Sequence, residues 1–213
     1  MCFSASASFT ASAALGIIGT GTIIKAKRSR ELALALVPIF FAIQQFVEGA
    51  LWLSFASSGP WALIFTYIFL FFALFWWPAY VPWACYNLET VKSRKRIIGY
   101  LVWLGLTVGL VQYGFFLAKP TVASIVNQSI FYKVFFQGLT WYNLLVIIAY
   151  GLSTVGAALL SSKRFINIFG VLTAVAALIA WRIYTINFAS VWCFFAAVLS
   201  LIIYFYFVFQ NKN

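Results

Sequence analysis

A glutamate in the middle of an apolar segment is the residue in this chain whose type most clearly could do chemistry. Within the stretch 32–56, the run Gln44-Gln45-Phe46-Val47-Glu48-Gly49-Ala50-Leu51-Trp52 interrupts otherwise apolar sequence. At about 100° per residue, Gln44, Glu48 and Trp52 stack on one helical face, with Gln45 at its edge. A carboxylate near the centre of a bilayer costs about 2.5–3.5 kcal/mol, so it turns into a helix bundle and takes a partner. The chemistry open to it is a proton or cation site, or the orientation of a polar substrate. A structural ion pair with Arg182 is the alternative, although Arg182 could instead snorkel to headgroups. The glutamines could serve interhelical hydrogen bonding alone.

Three other places carry polar or reactive groups: Cys2, the run Asn127 to Tyr132 with Gln128, and Trp181-Arg182 through Trp192-Cys193. Removal of Met1 would expose Cys2 with its own amine as a base, and an unreactive chain end is the other reading. Cys193 reads as a small apolar core residue or as a thiol. Cys2 and Cys193 could also meet as a disulfide or thiolate pair on the oxidising side. Thiolate reactivity needs a positive neighbour, and Arg182 is the candidate.

The elements that position these groups follow from composition. Of 213 residues, 65% are hydrophobic and 8% charged, with mean hydropathy +1.01, whereas a soluble domain carries about 25% charged residues. The chain is therefore read as an integral membrane protein. Apolar stretches long enough to span about 30 Å lie near 7–24, 32–56, 62–87, 97–118, 140–160, 165–183 and 188–209. Eleven of the fourteen basic residues fall on one side of these seven spans, in Lys25–Arg30, Lys92–Arg96, Lys163-Arg164 and Lys212. The positive-inside rule then sets the N-terminus outside and the C-terminus in the cytosol, with anionic headgroups facing the basic clusters and no nucleic-acid partner. On this topology Glu48 lies about 12 Å, and Cys193 about 8 Å, below the outer surface.

Finer readings accompany the spans. The first is a reverse anchor, not a cleavable signal, because the positive charges follow it. Its Ser8, Ser12, Gly16 and Thr20 form a small-residue stripe for close helix packing. Pro78 and Pro82 should kink the third span, and Trp76, Trp77 and Trp83 fit an interfacial aromatic belt. The outer connection 119–139 has Val122, Ile125, Val126 and Ile130 at helical spacing, which predicts an interfacial amphipathic helix. The chain has no histidine, which removes bis-histidine haem, histidine-ligated zinc and Ser-His triads. The seventh span has no lysine, which excludes a retinal Schiff base of the usual kind.

Met1-Cys2-Phe3-Ser4-Ala5, Gln45-x-x-Glu48 with Trp52, Gln128-Ser129-Ile130-x-Tyr132, Trp181-Arg182 and Ser190-Val191-Trp192-Cys193 together resemble a family of uncharacterised bacterial integral membrane proteins that open Met-Cys-Trp/Phe-Ser-Ala. The resemblance runs over nearly the whole chain and implies a shared outer-face site in a bacterial cytoplasmic membrane, without an activity. Positions matching Gln44 and Gln128 are often histidine in that family. A metal held there by Cys, His and Glu would lack its nitrogen ligands here.

The reading is a single all-α domain, residues 1–213, forming a seven-transmembrane-helix bundle. An outward-facing polar pocket for a small ligand or ion is centred on Glu48. Gln44, Gln45, Trp52, Gln128 and Tyr132 form its wall, Arg182 is the counter-charge, and Cys2 and Cys193 lie at its edge. No metal is assigned, and neither a cofactor nor an oligomeric state is legible. Transport, an intramembrane enzyme using Cys2 or Cys193 as nucleophile, and a structural or sensor partner stay open as functions.

Overall fold

A computed structural model describes residues 4–57, 59–119, 122–126, 128–132, 140–184 and 186–210. Seven helices are long and apolar enough to cross a membrane: α1 Ala5–Lys25, α2 Ser29–Ser54, α3 Trp61–Leu88, α4 Lys92–Ala118, α5 Trp141–Leu160, α6 Arg164–Ile183 and α7 Phe188–Phe209. Each lies within a few residues of an apolar stretch in the sequence. Large apolar side chains cover much of the outside, Ile17 at 76% and Trp103 at 70% exposure among them. A surface so apolar is stable against lipid and a liability in water.

The central helix is α2, with 67% of its apolar window buried against 22% for α1. It enters through a capping box, in which the Glu31 carboxylate accepts the backbone N–H groups of Lys27 at 3.1 Å and Arg28 at 3.2 Å. Leu36 separates its segments Ser29–Ala35 and Val37–Ser54, and Pro38 opens the second, where its missing N–H is harmless. Helix α1 packs along α2, and Ser12 donates to the Ala42 carbonyl at 2.8 Å. The small-residue stripe holds only at its start. The buried face runs Ser8, Leu15, Gly19 and Thr22, while Gly16 meets no neighbour and Thr20 is exposed. A spacing of four drifts by about 40° per step around a helix of 3.6 residues per turn, so the stripe rotates away from its partner.

Two helices contain a widened π-helical turn, Phe71–Trp76 in α3 and Leu152–Gly156 in α5. The first directly precedes Pro78, whose ring would crowd the carbonyl four residues back in a regular α-helix. The Tyr150 hydroxyl donates to the Ala73 carbonyl at 2.8 Å and so ties α5 to the π-turn of α3.

Between α4 and α5 the expected amphipathic helix is absent among the described residues. Strands β1 Ser124–Val126 and β2 Ser129–Phe131 form an antiparallel hairpin instead, pairing Ile125 with Ile130. The β-branched run 125–126 favours extended backbone, and Gln128 turns the chain at φ 56. Helical spacing of apolar residues was a coincidence of a strand–turn–strand pattern. The hairpin is pinned to α3 where Ala123 N–H donates to Thr66 Oγ1 at 3.3 Å, and to the start of α7 where Asn187 Nδ2 donates to the Val126 carbonyl at 3.0 Å. Its Ile130 and Tyr132 are buried with Phe69, and the Tyr132 ring stacks on Phe69 at 4.4 Å.

Candidate functional site

Glu48 sits on the buried face of α2, fully enclosed, and α7 supplies its closest printed partner. Ser190 Oγ donates to Glu48 Oε1 at 2.5 Å, and Gln45 Nε2 donates to Oε2 at 3.3 Å. Gln44, one turn before Glu48, accepts the indole N–H of Trp77 through Oε1 at 2.7 Å. Trp77 reaches it because the π-turn of α3 ends there, and its ring is stacked on Phe41 with centroids 3.8 Å apart. Cys193, three residues beyond Ser190, lies beside Gln44 and within electrostatic reach of Glu48. Helices α2, α3 and α7 thus bring a carboxylate, two amides, a hydroxyl, an indole N–H and a thiol together. Gln44 Nε2 and Gln45 Oε1 are buried in this cluster without a hydrogen-bond partner among the described residues. So is Ser8 Oγ, on the face of α1 that packs along α2.

The other sequence-derived candidates fall into two groups. Tyr132 is buried in the hairpin, within the same apolar cluster as Val47, Leu51 and Cys193, and Trp52 packs half-buried against that cluster. Gln128 and Arg182, by contrast, are exposed, one at the hairpin turn and the other in the last turn of α6. Among the described residues no ion pair joins Arg182 to the enclosed Glu48. Periodicity within α6 could not reveal this, because the facing of a helix end depends on its neighbours. Cys2 and Asn127 lie outside the described residues. Cys193 is a free thiol and so forms no disulfide.

Ser190 and Trp77 are the cluster members the sequence reading missed. Trp77 belongs to the buried core and not to an interfacial belt, at 4% exposure. A buried indole needs an acceptor, and Gln44 was the nearest polar group predicted to face inward. Ser190 shares a face with Cys193 at a spacing of three, which is the signal that could have found it.

A second buried carboxylate works at the opposite end of the molecule. Glu89, between α3 and α4, accepts the N–H groups of Thr90 at 2.9 Å and Val91 at 2.8 Å on Oε1. Its Oε2 accepts the Ser162 N–H at 2.6 Å from the α5–α6 connection. Arg94 adds a hydrogen bond to the Ser161 carbonyl at 3.1 Å. Burial pushes the Glu89 carboxyl up, but donations from Val91, Ser162 and Thr90 outweigh it and hold the carboxyl below its ordinary value of 4.5. A lowered folded value gives stability that is complete above the unfolded value and is lost as pH falls through the folded one. Glu89→Gln is therefore expected to cost about 1.5–3 kcal/mol at pH 7. In denaturation curves the gap between wild type and variant should close as pH falls below 4.5, and a gap independent of pH would refute the staple.

Seven membrane-length helices around a buried polar cluster define a polytopic α-helical protein. The chain belongs to a family of unknown function, DUF6629, whose family model matches residues 1–213. No curated protein and no solved structure matches it.

Proposed function

We propose that this is an integral membrane protein of a bacterial cytoplasmic membrane, N-terminus outside, that binds or moves a small polar ligand or ion at Glu48. The observation that carries the reading is the enclosed carboxylate itself, held by Ser190 and Gln45 and neighboured by polar atoms of Gln44 and Gln45 that have no hydrogen-bond partner among the described residues. A buried polar group without a partner costs about 1–3 kcal/mol, so a structural cluster alone would satisfy its members more fully. The orientation rests on the eleven basic residues gathered on one side of the spans. In this orientation the hairpin faces outward and lies over the cluster as its cover.

A thiol enzyme is the weaker reading. The charged neighbour of Cys193 is a carboxylate, whereas a thiolate nucleophile needs a positive one. The test is thermal unfolding of the full chain in detergent with sodium, potassium and choline chlorides and a panel of small amines and amino acids. At least one of these should raise the melting temperature of wild type and leave Glu48→Gln unmoved. Identical responses of the two proteins across the panel would sink the proposal. Cysteine substitutions at Ser124 and Ser93 test the orientation, because an impermeant thiol reagent applied to whole cells should reach the first and not the second.

A further inference from the structure

Beside the polar cluster, between α3, α5, α6 and α7, lies a cavity of about 40 Å³, walled by Phe41, Trp77, Thr173, Trp192, Cys193 and Ala196 among others. Its polar lining groups are almost all engaged. The Trp77 indole N–H is held by Gln44, and the Trp192 indole N–H by the Thr173 carbonyl at 3.2 Å. The Tyr150 hydroxyl is held by Ala73, and the Thr154 hydroxyl by the Tyr150 carbonyl at 2.8 Å. The hydroxyl of Thr173 is the exception. Thr173 is 7% exposed, and its Oγ1 has no hydrogen-bond partner among the described residues. A threonine inside a helix ordinarily satisfies its hydroxyl on the carbonyl one turn back, so this group is uncommitted in a place where that is costly.

From this geometry we infer a second binding site, for a small neutral molecule with an apolar body and one oxygen that pairs with the Thr173 hydroxyl. The size follows from the volume. A water needs about 10–15 Å³ of such space, so the cavity takes about three or four heavy atoms, too few for a lipid chain. The polarity follows from the lining. Water needs two to four polar partners, and the cavity offers one uncommitted hydroxyl against aromatic and aliphatic walls. Both π-helical turns border it, since Thr154 lies within one and Trp77 follows the other. Widened turns of this kind recur at functional sites. The site shares Cys193 and Trp77 with the Glu48 cluster, but it needs no charge and stands whether or not Glu48 binds an ion.

The Cys193 thiol in the cavity wall provides the readout. The full chain in detergent is treated with methyl methanethiosulfonate, a small neutral thiol reagent, and labelling of Cys193 and of buried Cys85 is followed by peptide mass spectrometry. Acetone, a small ketone of the inferred class, should slow Cys193 and leave Cys85 unaffected. The bulkier ketone pinacolone should protect neither. Thr173→Val keeps the side-chain shape without the hydroxyl and should weaken acetone protection about three- to tenfold. Equal slowing of both cysteines, no slowing at all, or undiminished protection in Thr173→Val would overturn the assignment. Should Cys193 resist the reagent outright, the acetone series is read by thermal unfolding against Ala196→Leu, whose side chain fills the cavity. Wild type should then be stabilised relative to that variant, and identical responses would overturn the site.

Discussion

Gly105→Ala is expected to destabilise the folded chain by about 3 kcal/mol or more, at or beyond the upper end of ordinary overpacking. A Cβ built on Gly105 overlaps the carbonyl oxygen of Pro78, which is a backbone atom of α3 and cannot rotate aside. One turn further along α4, a Cβ on Gly109 would come within 3.0 Å of the Phe75 Cα and carbonyl oxygen. The two glycines let α4 press directly on the stretch of α3 where the π-turn ends, a small-x-x-x-small contact that depends on van der Waals packing. That stretch also aims Trp77 at Gln44, so the methyl should loosen the polar cluster as well as the helix pair. Gly114→Ala is the matched control. A Cβ there meets nothing within 4 Å, and alanine is the better helix former by about 1 kcal/mol. Chemical denaturation in detergent should separate the two variants clearly, and equal stability would mean that α3 and α4 do not touch at Gly105.

Ser190→Ala should cost about 1.5–3 kcal/mol in the wild-type background, the usual worth of a hydrogen bond to a charged group. The hydroxyl donates to Glu48 Oε1 at 2.5 Å inside a region closed to water, so nothing replaces it when it is removed. The same substitution made in a Glu48→Ala background should cost little, because the acceptor has already gone. The difference between the two costs is the coupling energy of α2 to α7 through this pair. Additive losses would show that Ser190 and Glu48 act independently, and the cluster would then lose its best-defined contact. Glu48→Gln should fall between the two, since its amide oxygen still accepts from Ser190 without the charge.

Composition and local period were enough for some of this. The seven membrane-length helices were legible because a run of about 20 apolar residues is a property of consecutive sequence, independent of what it packs against. The inward face of α2 was legible for the same reason. Gln44 and Glu48 are one turn apart, and a carboxylate within an apolar helix has few tolerable places other than a protein interior. Cys193 beside Gln44 was expected from depth alone. The hairpin was misread because its apolar residues fit either period, and only the pairing of Ile125 with Ile130 decides between them.

The partners of Glu48 belong to tertiary structure. Ser190 is 142 residues away, and its approach depends on how α7 is rotated against α2, which no stretch of either helix states. Arg182 looked like the counter-charge because charges of opposite sign attract over distance. Its helix end faces outward, and the carboxylate is held by hydrogen bonds instead. Trp77 shows the same division in one residue: an aromatic near a helix end suits an interface or a core equally well. Only the widened turn before Pro78, held by Gly105 from α4 and by Tyr150 from α5, turns its indole N–H inward to Gln44.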